Sequence, residues 1–382
     1  MSLSPDSFAP IIGFGTRVRK SPFFDATRRY GAKAFTVYNH MYMPLWYEDP
    51  TADYWKLVND VTLWDVSAQR QVEITGPDAA KFVQYLTPRR LTECAVGQCK
   101  YVLLTDENGG LINDPVLLKL GESHFWLSLA DSDVLLWTKA IAAHTEMDVH
   151  ITEPDVSPLQ LQGPHAFDVM ETLVGDWPGN LGYFWFQEHD LDGIPLVISR
   201  TGWSGQRGFE IYLRDGSMGD LLWERIMEAG RAFGIAPAAP SQIERIEAGM
   251  LSYATDMTLE NNPFEINLGK LCDLDMQADF MGKEALKRIK QEGVQQRLVG
   301  LEVGGGPMIE FNADHWRIMD GEEPVGVVTS SVYSPRLDKN LALGYVSVGC
   351  SDAGTELGME APWGLAPCTV SPLPFLKPNR KS

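Results

Sequence analysis

Two stretches of this chain pass through the same order of events. In VEITGPDAAKFVQYL (72–86) an alternating apolar segment runs into Gly76-Pro77, and an amphipathic pattern follows. In VSPLQLQGPHAFDVMETLVG (156–175) an alternating segment runs into Gly163-Pro164, and a second amphipathic pattern follows. Period-two alternation marks a strand with one packed face, a 3.6-residue period marks a helix, and Gly-Pro breaks the chain between them. Two such units predict two similar α+β halves facing one another. With 382 residues the chain exceeds what one core usually supports. After a helical pattern at Asp279 to Gly293 the composition changes, and from about Gln295 short strands alternate with tight turns. The expected organisation is therefore α+β, with two interleaved α+β subdomains over 1–280 and a small C-terminal β-barrel over 281–382.

Between these landmarks, Lys100 to Ala130 reads as a three-stranded meander with turns at Asp106-Glu107-Asn108-Gly109-Gly110 and Gly121-Glu122-Ser123. A helix follows at Asp131 to Thr145, with Asp131 or Ser132 as its N-cap. Asn113-Asp114-Pro115 reads as a bulge at a strand start, and the hairpin brings Tyr101 and Asp114 toward a common space. Another helix is expected at Pro240 to Tyr253, where Glu244, Arg245 and Glu247 read as a solvated charged face. In RTGWSGQRGFEIYL (200–213), Phe209, Ile211 and Leu213 form an apolar face, while Glu210 and Tyr212 point the other way. Taken alone, this segment reads as an edge strand with a solvated outer face.

A net charge of −19 argues against nucleic acid, which is held by clustered Lys and Arg, and against anionic membrane surfaces. The five cysteines form no CxxC pair and read as free, mostly buried thiols. The seven histidines lack the i, i+4 spacing of a metal site, so no metal is expected. The N-terminal MSLSPDSFAPIIGFGTRVRKSPF has no secretory pattern, and no apolar run reaches membrane length, so a cytoplasmic protein is expected. GxSxG, P-loop and HExxH signatures are absent.

DENGGLINDPVLLKL, LQGP, SRTGWSGQRGFEIYL, IERIEAGMLSYATDM and FMGKEAL resemble, in order and spacing, the folate-dependent aminomethyltransferase family, the T-protein of the glycine cleavage system. The resemblance covers nearly the whole chain. Within that family GAKAFTVYNHMYMP, LWDVSAQRQVEI, INDPV and FWLSLADSDV are more similar to the dimethylsulfoniopropionate demethylases. Glycine-cleavage proteins more often carry two aspartates in the turn and no counterpart of Trp203.

This resemblance implies an aminomethyltransferase-like fold with a central channel for tetrahydrofolate. It implies that Glu210 takes the edge of the pterin ring, with Tyr212 beside it, and that Asp114 is the catalytic and folate-orienting aspartate. A sulfonium donor needs an aromatic face, for which Trp203, Tyr101 and Tyr212 are the candidates. Its carboxylate needs a donor, for which Lys33 or Ser128 is the candidate. The partners expected are a small methyl donor and folate; a homodimer is left open. Demethylation of another small methylated amine or ether, aminomethyl transfer, and non-catalytic folate binding are the alternative readings.

Overall fold

The structure, a computed structural model, describes residues 13–309 and 311–379. The first twelve residues, part of the stretch read as lacking a secretory leader, lie outside that range. Two sheets form the larger part of the molecule. The first has five strands in the order His150–Thr152, Gln71–Thr75, His124–Ser128, Val116–Gly121 and Cys99–Tyr101. The second has six, in the order Phe186–Leu191, Ile194–Ser199, Gly208–Leu213, Ser157–Gln162, Thr62–Asp65 and Ala236–Ala238. Each buries its apolar outer face under helices. Phe82, Val83 and Leu86 of helix Ala79–Leu86 pack on Val72, Ile74 and Leu127 of the first sheet. Val169 and Met170 of helix Ala166–Val174, with Leu222 and Trp223 of Gly219–Ala229, pack on Leu161, Phe209 and Ile211 of the second. The inner faces meet each other, with Cys99, Leu118 and Trp126 against Val197 and Tyr212.

The two halves exchange strands. Thr62–Asp65, immediately before the first repeat unit, pairs with Ser157–Gln162 of the second sheet. His150–Thr152, immediately before the second unit, pairs with Gln71–Thr75 of the first. The Gly-Pro breaks explain how this fits. Gly76 has φ +120° and a Cβ there would meet the Asp148 carbonyl oxygen at 2.6 Å; Gly163 has φ +131° and would meet that of Asp60 at 2.6 Å. Both positions need a residue without a Cβ. Each glycine lets its unit turn tightly against the segment leading into the exchanged strand.

Six strands close the C-terminal barrel in the order Gln296–Val303, Lys339–Ser347, Glu323–Ser334, Trp316–Asp320, Glu356–Ala361 and Gly364–Ser371. It rests on the rest of the molecule through a buried ion pair. Arg245 donates to Asp256 at 2.6 Å, both side chains being closed to solvent. The same guanidinium donates to Ser330 of the barrel at 2.7 Å, while Thr329 and Ser330 donate to the other Asp256 oxygen.

Several local expectations change. Gly208–Leu213 is buried at every position, flanked by Ile194–Ser199 and Ser157–Gln162, so it is no edge strand. The expected meander is broken into short strands, with Leu104–Thr105 and Leu111–Asn113 pairing as a separate ribbon. Asp114-Pro115 is then the corner between that ribbon and strand Val116–Gly121, a place where a proline without an N–H costs no ladder bond. The helix expected from Asp131 starts at Val134 with Asp133 in the cap position. Ser132 is instead held by Asn113, whose amide donates to its hydroxyl at 2.8 Å. The helix expected over 240–253 is only Gln242–Glu247, and Glu244, Arg245 and Glu247 are buried rather than solvated. Arg336 of the barrel pairs with both glutamates. The five cysteines are free thiols, three of them buried.

Candidate functional site

The inner faces of the two sheets carry a seam of buried polar groups. Glu210 stands opposite Gln160 on one neighbouring strand and Ser199 on the other. Its Oε1 accepts from Gln160 Nε2 at 2.9 Å, and its Oε2 accepts from the Thr201 hydroxyl and from Tyr212 at 3.4 Å. Burial pushes the Glu210 carboxyl above its ordinary range, and these donors pull it back. Tyr212 is fully buried, with Ser128 and Ser199 in hydrogen-bonding reach of its phenol. Ser128 belongs to the first sheet, where Gln71 Nε2 donates to it at 3.0 Å. Tyr212 and Ser128 thus join the two sheets. Gln71 Oε1, at the far end of this chain, is buried and accepts no hydrogen bond.

Asp114 lies at the corner described above, where Tyr101 donates to its Oδ2 at 2.8 Å. Its Oδ1 is closed to solvent and accepts no side-chain hydrogen bond among the described residues. Loss of water raises the carboxyl to about 7, against the lowering effects of Tyr101 and of the residue's own backbone N–H. Burial raises the phenols of Tyr38 and Tyr253, and both lie close enough for the Asp114 charge to raise them further. The Asp131 backbone N–H hydrogen-bonds the Tyr38 hydroxyl. A carboxyl group poised near neutrality, with one oxygen oriented and the other bare, can take or return a proton.

The loop Arg200 to Arg207 crosses the end of the second sheet. The Gln162 amide holds it from beneath, donating to the Thr201 and Phe209 carbonyls and accepting from Ser204 at 2.6 Å. A Cβ at Gly202 would lie 2.3 Å from Gln162 Oε1, so any larger residue there would displace the amide that holds the loop. Trp203 at the loop's tip is half-buried, its backbone N–H donates to Gln160 at 3.3 Å, and the Arg245 guanidinium lies 5.8 Å from its ring centre.

Of the residues singled out from sequence, Glu210, Tyr212 and Ser128 lie in one connected network, and Tyr101 and Asp114 form a pair. Trp203 joins the network through Gln160. Lys33 does not join them: it is exposed and its ammonium donates to the Glu48 carbonyl at 3.0 Å. It precedes strand Ala34–Tyr38, at the far end from Tyr38, about 17 Å back at strand rise. Gln71, Gln160, Thr201, Tyr38 and Tyr253 were missed by sequence reasoning. Gln160 carried the one available signal, a polar residue at an inward position of the repeated strand.

Residues 23–276 match the GCVT N-terminal domain and residues 296–377 the glycine cleavage T-protein C-terminal barrel domain. The chain is 40% identical over 354 residues to dimethylsulfoniopropionate demethylase DmdA of Ruegeria pomeroyi, covering 93% of this chain and 96% of that protein. It is 30% identical over 370 residues to an aminomethyltransferase of Bacillus mycoides, covering 95% and 99% respectively. The fold is that of glycine cleavage system aminomethyltransferase T from Bartonella henselae, with a TM-score of 0.85 at 24% identity over 95% of this chain and 99% of that one. The expected fold and family are borne out, and with them tetrahydrofolate as the cofactor. Bare Asp114 Oδ1 fits such a group, since a folded protein leaves few buried acceptors unpaired. The chain belongs to the glycine cleavage T-protein family of tetrahydrofolate-dependent methyl and aminomethyl transferases.

Proposed function

We propose that this protein demethylates dimethylsulfoniopropionate, passing one methyl group to tetrahydrofolate and releasing 3-(methylthio)propanoate. The observation that carries the catalytic part is the Tyr101–Asp114 pair, with one carboxyl oxygen oriented and the other bare. The choice of donor is supported by the higher identity to the Ruegeria pomeroyi demethylase, 40% against 30% for the Bacillus mycoides aminomethyltransferase.

Tetrahydrofolate supplies the nucleophilic nitrogen that takes the methyl group. When the carbon–sulfur bond breaks, its electron pair stays on sulfur and the cation becomes a neutral thioether. Such a displacement needs alignment and exclusion of water more than a strong base. The proton released on methylation is received by Asp114 Oδ1, which is unprotonated in a useful fraction of molecules near pH 7. Tyr101 holds the carboxyl in place through Oδ2. Glu210 takes an N–H of the pterin edge. About four lone-pair positions exist on a carboxylate, and Gln160, Thr201 and Tyr212 already use three. Glu210 therefore offers one further point of attachment rather than two. Trp203 holds the sulfonium on the ring face away from Arg245, so that one indole lies between two cations. Ser128 is the candidate donor to the substrate carboxylate; Lys33 is left out.

The test is formation of 5-methyltetrahydrofolate with dimethylsulfoniopropionate, compared with a panel of methylated amines and an aminomethyl donor. The highest kcat/KM is expected for the sulfonium. A higher value for an amine would shift the reading to another demethylase. Folate binding without turnover of any donor would overturn catalysis itself.

A further inference from the structure

The loop that carries Trp203 begins and ends with an arginine, and both turn away from the polar seam. The Arg200 guanidinium lies 5.1 Å and the Arg207 guanidinium 4.3 Å from the centre of a single ring, Phe167. Phe167 stands in the first turn of helix Ala166–Val174, on the outer side of the second sheet. The two charges are thus no farther apart than the sum of those distances. They sit beside the positive end of a helix dipole.

Among the described residues neither guanidinium has a carboxylate within 4 Å, whereas the covered Arg70, Arg245 and Arg336 each do. Asp168, next along the helix, is paired with His165 at 2.8 Å. Arg200 donates to the Leu181 carbonyl at 3.0 Å, and Arg207 lies over the Phe167 ring. Its Nε is closed to solvent and unpaired. Burial first, and then the charge of Arg207, lower the pKa of Arg200. A protein of net charge −19 has ample carboxylates, yet none is placed here. Two like charges, partly desolvated and with no carboxylate within 4 Å among the described residues, form a site of positive potential with forked N–H donors.

The geometry points to an oxyanion site between Arg200 and Arg207, taking a phosphate or carboxylate group on the outer side of the loop. The anion would bridge both ends of the segment that positions Trp203. This assignment does not depend on which methyl donor the enzyme uses. Two sources share the chemistry, a free small oxyanion and a chain of glutamate carboxylates.

Titration of the full-length protein with inorganic phosphate, followed by phosphorus NMR line width and by melting temperature, tests it. Saturable binding is expected, weakened at least about tenfold in both Arg200→Gln and Arg207→Gln. Arg207→Lys, which keeps the charge and loses the fork, should retain part of the binding. A tri-glutamate peptide added to the phosphate-loaded protein separates the sources: displacement assigns the site to a polycarboxylate, and its absence to a free oxyanion. Should phosphate show no saturable binding to the wild type, or bind both Gln variants as well as the wild type, the site does not exist. If a Gln variant fails to fold, the Arg207→Lys comparison still decides it, because equal affinity in that variant and the wild type overturns recognition by the fork.

Discussion

Asp114 and Glu210 are both buried carboxyl groups lined by tyrosine, yet they are built for opposite ends. Glu210 has protein donors on both oxygens, supplied by Gln160 of a neighbouring strand, Tyr212 of its own strand and a threonine hydroxyl of the loop. Asp114 has one donor and one bare oxygen. Burial raises both carboxyl groups. The difference lies in the backbone. Glu210 is inside a regular strand whose neighbours bring partners at fixed register, while Asp114 is at a corner where no strand runs alongside to fill Oδ1. A strand centre makes a rigid holder, and a corner leaves reactive capacity open.

The largest effect that could break this contrast is on turnover. Asp114→Asn keeps the Tyr101 bond but removes the proton acceptor, so kcat should fall by about 10²–10⁴ with donor KM nearly unchanged. An unchanged kcat would mean the bare oxygen is not used. The same change should raise melting temperature at pH 8 and leave it unaltered at pH 4 or below. The reason is that folded Asp114, at about 7, holds its proton more tightly than an unfolded aspartate at about 3.9. Its ionisation therefore costs stability, starting near pH 4 and complete above about pH 7.

Next in size is the holder. Glu210→Ala should weaken folate binding by about 1.5–3 kcal/mol, measured by calorimetry, with a smaller effect on kcat. If instead it mimics Asp114→Asn, with kcat lost and affinity kept, the assignment of the two carboxyl groups is reversed.

A finer test concerns the tuning of Asp114. In the wild type kcat should rise with pH through about 7, since the ionised form accepts the proton. Tyr101 stabilises that form, so Tyr101→Phe should move the midpoint upward by about one unit. A midpoint that stays in place, or moves down, removes Tyr101 from the role given to it.

The smallest expected effect is at Trp203. Trp203→Leu keeps an apolar wall but loses the ring, raising KM for the sulfonium donor by about 0.5–2 kcal/mol in equivalent free energy. Unchanged kinetics would leave Arg245 as the ring's only cation.

What could be read from sequence follows from the range of each signal. Tyr101 with Asp114, and Glu210 with Tyr212, were legible because both pairs follow from local alternation and a short hairpin. Arg245 was not. A six-residue helix reading Gln-Ile-Glu-Arg-Ile-Glu looks solvated until Asp256 and the barrel's Ser330 and Arg336 are brought against it from far along the chain. Lys33 misled because its neighbours say nothing about where a long flexible side chain ends. Gln160 and Thr201 were passed over because a polar residue in a strand or loop declares itself only when the neighbouring strand that carries Glu210 is in place.

The exchanged strands have a consequence for assembly. The second sheet cannot be completed by a contiguous piece of chain, since its strand Thr62–Asp65 is separated from Ser157–Gln162 by the whole first sheet, which runs from Gln71 to Thr152. That long stretch must close before the second core is whole, which slows folding and ties the halves into one cooperative unit. Nicking the chain in the exposed stretch ahead of His150 should therefore yield fragments that stay associated and melt together. Expressed apart, each fragment would present an incomplete sheet edge, and mixing them should restore a single transition.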